Sequence, residues 1–220
     1  MALWLVLDTA APEATVGVVD VAAGVVVSEV SLRETKRHAE RLPSAVEEAM
    51  QGSVVVGVGV GLGPGSFIGV RTAIAFAKGL CRARGVPLIG IPSLWALASS
   101  VRLPEGGSCV AALDAKRGER YAQVFHSSER GLDPEGEPVA MAPELVAGLG
   151  GPDCVVVGVD GAAGFVLAGP SALGMMRVLR RLLQRAPADE RVTLAPLYVR
   201  APDAKLPALD PARHRPTNVS

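Results

Sequence analysis

From Val54 to Leu62 the chain alternates aliphatic side chains with none at all. Val54, Val56, Val58, Val60 and Leu62 fall on one side of a two-residue period, and Gly57, Gly59, Gly61 and Gly63 on the other. That period is the period of a β-strand. A face made only of glycine fills no core by itself, so it must sit where a backbone, a helix or a ligand comes unusually close. Pro64-Gly65 then turns the chain, and Ser66 is placed to cap the next segment. Val70, Ile74, Ala77 and Cys81 recur at helical spacing, with Ala73 and Leu80 beside them, as far as the stop signal Gly85-Val86-Pro87. The unit is strand, glycine-rich turn, helix.

Such a unit can cradle phosphate at a helix N-terminus. The spacing here matches neither well-known form. Gly63-x-Gly65 would need glycine at 68 to make the dinucleotide fingerprint, but Ile68 stands there and the glycine arrives at Gly69. No G-x-x-x-x-G-K followed by Ser or Thr occurs, so there is no P-loop. The spacing favours a structural glycine loop (Gly63, Pro64, Gly65, Ser66, Gly69) that lets strand and helix pack closely.

Composition narrows the function classes. A formal net charge of zero over 220 residues removes the broad positive field with which a protein grips nucleic acid unaided. Only 4% of residues are aromatic, which argues against a base-stacking platform. Cys81, Cys109 and Cys154 are odd in number, far apart and without a C-x-x-C, which predicts buried free thiols in a reducing compartment. Met1–Asp8 has no basic start and ends at an acid, so it reads as an opening strand rather than a signal peptide. The uncharged run Val54–Val70 contains Pro64 and several glycines and makes a poor spanning helix. A cytoplasmic protein is expected.

Along the chain, strands are predicted at Leu3–Leu7, Ala14–Val19 and Val25–Val30, the last two joined as a hairpin. A helix is predicted over Thr35–Met50, with Pro43 kinking it or lying near its start. After the glycine unit come a short strand at Leu88–Gly90 and a helix opened by Pro92-Ser93. A second block then begins in the same way. Ala111-Ala-Leu-Asp114 echoes Val6-Leu-Asp8, Glu119–Phe125 echoes Glu13–Val19 at the same offset, and Val155–Gly161 echoes Val55–Gly61. Their shared order indicates a duplicated α/β unit. Ser127–Pro143 reads as a surface excursion, Leu167–Gln184 as a helix, and Ala201–Ser220 as a polar tail. The expected division is 1–100, 101–200 and a tail 201–220.

A duplicated hairpin-plus-strand unit, each copy with Asp at the end of its first strand, resembles the actin/hexokinase (ASKHA, RNase H-like) superfamily. In its ATP-binding members the resemblance implies an Asp that handles metal or water and an adjacent glycine that opens backbone amides to phosphate. Here the turns read Asp8-Thr9-Ala10-Ala11 and Asp114-Ala115-Lys116-Arg117, with Gly118 only later. The nucleotide site is degenerate.

Four stretches together resemble the bacterial TsaB (YeaZ) family of tRNA threonylcarbamoyladenosine synthesis: Leu7-Asp-Thr9 with its hairpin, Arg37–Pro43, Gly63–Arg71 continuing to Gly79, and Gly90–Ala98. Leu113-Asp114 and Pro196–Arg200 resemble its second-half landmarks. Ala10, Ala39 and Ile68 stand where that family usually has hydroxyls. The resemblance implies a non-catalytic subunit that pairs with a TsaD-type catalytic paralogue and a TsaE-type ATPase. It also implies a homodimer when alone, and contact with tRNA only through the complex. ATP and metal are then expected on the partner subunits, with none bound by this chain. The complex moves threonylcarbamoyl to adenosine 37 of tRNAs reading codons that begin with A. The paralogue's metal site needs two histidines four apart, and here His38 is followed by Leu42.

Among individual residues, His38 reads as a polar helix-start histidine rather than a ligand, since a zinc site needs three or four donors. Asp8 and Asp114 are either paired acids or strand-end carboxylates bonded to adjacent turns, and the lack of a neighbouring glycine favours the second. Arg177, Arg180, Arg181 and Arg185 lie along one side of a helix, as a tRNA patch or, more commonly, a solvated face. Leu42, Val46, Met50, Val70, Ala73, Ile74 and Ala77, rimmed by Arg71 and Lys78, form the candidate partner interface, because they exceed what one buried stripe requires. The competing classes are a sialoglycoprotease-type metallopeptidase, opposed by the missing second histidine, and a small-molecule kinase, opposed by the missing phosphate glycines. A stand-alone RNA-binding module is opposed by zero charge and few aromatics.

Overall fold

The computed structural model describes residues 1–33, 38–151, 153–158, 165–167, 170–185 and 194–199. Its strands are β1 (Leu3–Asp8), β2 (Ala14–Asp20), β3 (Val25–Leu32), β4 (Gly57–Gly61), β5 (Leu88–Ile91), β6 (Ser108–Lys116), β7 (Glu119–Ser128), β8 (Gly131–Met141), β9 (Val155–Gly158) and β10 (Phe165–Leu167). Its helices are α1 (His38–Met50), α2 (Phe67–Arg84), α3 (Ser93–Ala98), α4 (Pro143–Val146) and α5 (Ala172–Arg185).

The duplication is legible in the pairing. One sheet runs β3-β2-β1-β4-β5 and the other, read from its hairpin edge, β8-β7-β6-β9-β10. In each, an antiparallel hairpin precedes strands added in parallel to the first strand of the unit. The echoes across the sequence therefore fall on equivalent strands, β1 with β6 and β4 with β9. This is the actin/hexokinase-like α/β fold.

Register explains the glycine strand. Trp4 pairs with Gly57 and Val6 with Gly59 in the parallel β1–β4 ladder. A Cβ on Gly57 would lie 2.3 Å from the Trp4 ring, and one on Gly59 would meet Ile91, Val6 and, from α5, Leu179. The bare face of β4 thus takes the large side chains of its neighbours and a crossing helix. The opposite face carries Val58 and Val60, fully buried, on the side where α2 packs.

Two elements depart from the sequence reading. Ser127–Pro143 is no excursion, because β8 pairs with β7 along most of that stretch. Its prolines are tolerated because β8 is an edge strand, and the ladder shifts register between Ala122 and Val124. The last helix begins at Ala172, and Leu167 belongs to β10. Residues 34–37, the side chain of His38 and the tail 201–220 lie outside the described residues.

Helix α5 also packs differently from expectation. It crosses onto β1, β2, β3 and β5 of the first sheet and against α3, which in turn packs on β6 and β7 of the second. A Cβ on Gly174 would lie 2.1 Å from the Ala96 carbonyl, so the two helices touch backbone to backbone. Helix α5 is covered by the sheet and by α3 along most of its length, and three of its four arginines bond within the chain. Arg177 Nη1 donates to the Ser99 and Val101 carbonyls at 2.6 and 3.1 Å. Buried Arg181 donates to the Leu132 carbonyl at 3.0 Å and pairs with Asp133, which Arg185 also approaches at 3.4 Å. Only Arg180 and Arg185 of the four are exposed. No helix among the described residues is long and apolar enough to cross a membrane.

Candidate functional site

Asp8 ends β1 at the centre of the first sheet and is completely buried. Its Oδ1 accepts the Ala10 amide at 2.7 Å, the ordinary Asx-type closure of a turn. Its Oδ2 accepts the Ser93 hydroxyl at 2.5 Å, and Ser93 Oγ accepts the Gly63 amide at 3.0 Å. Burial pushes the Asp8 carboxyl above the usual carboxylate range, against the pull of Ser93 and the Ala10 amide, which favour the ionised form. Sequence reasoning does not single out Ser93 as a site residue. Its only signal is its position after Pro92 at the start of a short helix.

The glycine loop closes over this turn. A Cβ on Gly61 would lie 2.1 Å from Asp8 Oδ2, one on Gly65 2.4 Å from the Ala10 carbonyl, and one on Gly69 2.2 Å from the Thr9 carbonyl. Each contact is between backbones, or between backbone and a buried carboxylate, so no side chain can give way. Thr9 Oγ1 donates to the Gly69 carbonyl at 2.7 Å, and the Ser66 amide to the Ala10 carbonyl at 2.8 Å. Ser66 Oγ caps α2 by accepting the Gly69 amide at 3.3 Å. Gly63 has φ +83°, which only glycine adopts without strain, and its peptide to Pro64 is cis. On this side the Asp8 turn packs directly against the chain's own backbone.

Asp114, at the equivalent point of β6, has a different environment. It meets Lys116 through the backbone amide at 2.9 Å and Nζ at 2.7 Å, and Arg120 at 3.4 Å. Partial burial works against its charge, but the bonds from Lys116 and the charges of Lys116 and Arg120 outweigh it and hold the carboxyl below its usual range. Asp8 and Asp114 thus bond to separate partners in separate sheets, as strand-end acids. Cys81 and Cys109 are buried and Cys154 half-buried, all as free thiols, and burial lifts the first two to about 11 and about 12. No group of three His, Cys, Asp or Glu among the described residues is arranged to hold a metal.

The candidate interface needs correction. Leu42, Val46, Met50, Val70, Ala73, Ile74 and Ala77 are all buried in the chain's own core. The reason is that α1 and α2 pack on each other and on their sheet, which takes up both apolar rows. Of that set only Arg71 and Lys78 are exposed, and both reach the C-terminal segment: Arg71 bonds to the Tyr198 hydroxyl, and Lys78 Nζ donates to the Leu194 carbonyl at 3.0 Å. Two positions along α2 from Ala73 and Ala77, Ala75 and Gly79 point outward instead. A Cβ on Gly79 would meet nothing within 4 Å among the described residues.

Residues 25–157 match the family model described as TsaD, tRNA N6-adenosine threonylcarbamoyltransferase. An uncharacterised protein of Mycobacterium tuberculosis is 32% identical over 212 residues, covering 91% of this chain and 93% of its own. The Escherichia coli tRNA threonylcarbamoyladenosine biosynthesis protein TsaB is 31% identical over 118 residues, 50% of this chain and 51% of that one. The solved structure of YeaZ from Pseudomonas aeruginosa superposes with a TM-score of 0.73 at 23% identity, covering 90% of this chain and all of that one. The glycine loop, the Asp8-Thr9 turn and these likenesses agree, and the chain belongs to the TsaB (YeaZ) family of tRNA threonylcarbamoyladenosine biosynthesis proteins.

Proposed function

We propose that this chain is a non-catalytic scaffold subunit of the complex that transfers threonylcarbamoyl to adenosine 37 of tRNAs reading codons that begin with A. It acts in the cytoplasm by pairing with a TsaD-type catalytic paralogue and serving a TsaE-type ATPase. It meets tRNA only within that assembly, and alone it forms a homodimer. The observation that carries this reading is the closure of the Asp8 turn. Gly61, Gly65 and Gly69 bring backbone against Asp8, Thr9 and Ala10, and Ser93 takes the remaining carboxylate oxygen. A carboxylate so enclosed has no route to a metal-bound phosphate.

The partner surface in this reading is the outer face of α1 and α2. Helix α1 exposes Glu40, Glu47 and Glu48 together with Arg41, a net acidic set, and α2 exposes Arg71, Ala75, Lys78, Gly79 and Arg82. Two copies, or two paralogues, brought together about a two-fold axis can set the acidic helix of one against the basic helix of the other. Gly79 supports this use. In an exposed helix interior, glycine costs about 1 kcal/mol relative to alanine, and none of the described residues needs its lack of a side chain. An approaching helix does.

The test is titration calorimetry of the purified chain with ATP and Mg²⁺, alongside co-purification with the TsaD-type paralogue from the same source. The expected result is no ATP heat at micromolar concentrations and a stable stoichiometric complex. One-site ATP binding abolished by Asp8→Ala would return the kinase reading to the lead.

A further inference from the structure

The segment Leu194–Val199 lies against the first sheet at Gly90 and Leu62 and reaches the start of α2 at Arg71. Leu194 is buried in the core and fills the gap left by Gly90, where a Cβ would lie 2.6 Å from its Cδ2. The Leu197 amide donates to the Leu62 carbonyl at 2.8 Å. These two anchors fix Tyr198 next to the glycine loop. Its hydroxyl accepts both Nε and Nη2 of Arg71, at 3.1 and 2.9 Å. The Arg71 guanidinium lies 3.7 Å over the Phe67 ring, and the Phe67 and Tyr198 rings are 6.0 Å apart.

Around this stack the surface is apolar and open. Ile68 is 75% exposed, Phe67 48%, Tyr198 46% and Leu197 39%. Single exposed hydrophobes are ordinary, but four together, drawn from two segments far apart in sequence, mark a contact site. The composition is that of a binding hot spot, where Tyr, Arg and aromatic residues dominate. A guanidinium has five N–H donors. In Arg71 the Nη1 donors have no partner among the described residues, and no carboxylate there meets its charge. The stack holds the group in place before anything binds, so little side-chain freedom remains to be lost.

We infer that this socket receives a protein segment that places a carboxylate on Arg71 between aliphatic side chains lying on Ile68, Phe67 and Leu197. The occupant is a segment of the catalytic paralogue, because the socket continues the outer face of α2 through Ala75 and Gly79. The inference therefore rests on the pairing proposed above. RNA fits less well: a phosphate backbone is gripped by several cations, and among the described residues the socket itself holds the guanidinium of Arg71 beside apolar groups, with Lys78 already bonded to the Leu194 carbonyl.

The test measures heterodimer affinity with the TsaD-type paralogue by calorimetry or biolayer interferometry, for the wild type and for Ile68→Asp, Arg71→Glu and Tyr198→Ser. All three sites are exposed, and each variant is first shown to melt within a few degrees of the wild type. Val139→Asp, an exposed apolar site on the β8 edge, is the control. The expected result is at least tenfold weaker binding for Ile68→Asp and Arg71→Glu, a smaller loss for Tyr198→Ser, and no change for the control. Wild-type affinity in all the socket variants overturns the inference while leaving the pairing intact. Unchanged heterodimer affinity with weaker tRNA binding by the assembled complex reassigns the socket to RNA and also overturns it. Tighter pairing after deletion of residues 200–220 makes the chain's own C-terminal segment the occupant, with the same consequence. Failure of the wild type to pair at all removes the proposed function and this inference together.

Discussion

The double substitution Val46→Glu with Ile74→Glu should unfold the chain. Both residues lie in the core at about one-twentieth exposure, on the faces that α1 and α2 turn toward each other and toward their sheet. Each new carboxylate would be stranded without a partner. An unpaired buried charge costs about 3–5 kcal/mol, and two of them, about 6–10 kcal/mol together, consume most of the roughly 5–15 kcal/mol that holds a typical domain together. Circular dichroism should show no cooperative melt above room temperature, and gel filtration should show an expanded or aggregated species. A folded monomer would mean instead that the two side chains face outward and that their burial is wrong. The outer-face substitution Gly79→Leu starts from a Cβ that meets none of the described residues within 4 Å, and it should leave the melting temperature within a few degrees while impairing association.

The contrast between these positions shows what periodicity conveys and what it omits. The helical spacing of Val70, Ile74, Ala77 and Cys81 identifies α2 and its buried face correctly. Counting apolar residues cannot say how much helix surface the chain itself will cover. A stripe with one neighbour leaves surplus, but α1 and α2 each have two, the sheet and the other helix. The small residues that face outward, Ala75 and Gly79, lie two positions from Ala73 and Ala77, about 200° around the helix.

The alternation of glycine and valine in β4 is legible as a close-approach face. What approaches is not, because the parallel register sets Trp4 and Val6 there and the packing of α5 on the sheet sets Leu179 there. The same limit hides Ser93. A lone serine after proline has no spacing signal, and its bond to Asp8 exists because β5 delivers it beside β1 through β4. Strand β8 escapes the sequence reading for a local reason, since Pro134 and Pro138 argue against a central strand and are harmless on an edge. The segment Leu194–Val199 has no regular structure to predict. It is held by the buried Leu194, by the Leu197 amide on the Leu62 carbonyl and by the bonds of Lys78 and Arg71.

Asp8 should give the chain a pH dependence that its variants lack. Its folded-state pKa lies above its ordinary 3.8, because burial disfavours the charged form. The native state therefore holds the Asp8 proton more tightly than the unfolded chain does. Unfolding free energy then falls as pH rises from about 3.8 through the raised native value, by up to about 1.4 kcal/mol per pH unit. Asp114 and Asp133 have the opposite sign, since their native pKa values are depressed, and their contribution is lost only as pH drops below the ordinary carboxylate range. The two windows separate. Asp8→Asn keeps an acceptor for the Ala10 amide and removes the buried charge, so its urea midpoint should stay flat between pH 4 and 7 where the wild type declines. Asp8→Ala leaves both the Ala10 amide and the Ser93 hydroxyl without a partner. At about 1–3 kcal/mol for each unsatisfied group, it should be the least stable of the three at the acid end of the profile. Parallel pH profiles for the wild type and Asp8→Asn would show that this carboxyl is not held in a dry site, and the closure of the turn over it would have to be abandoned.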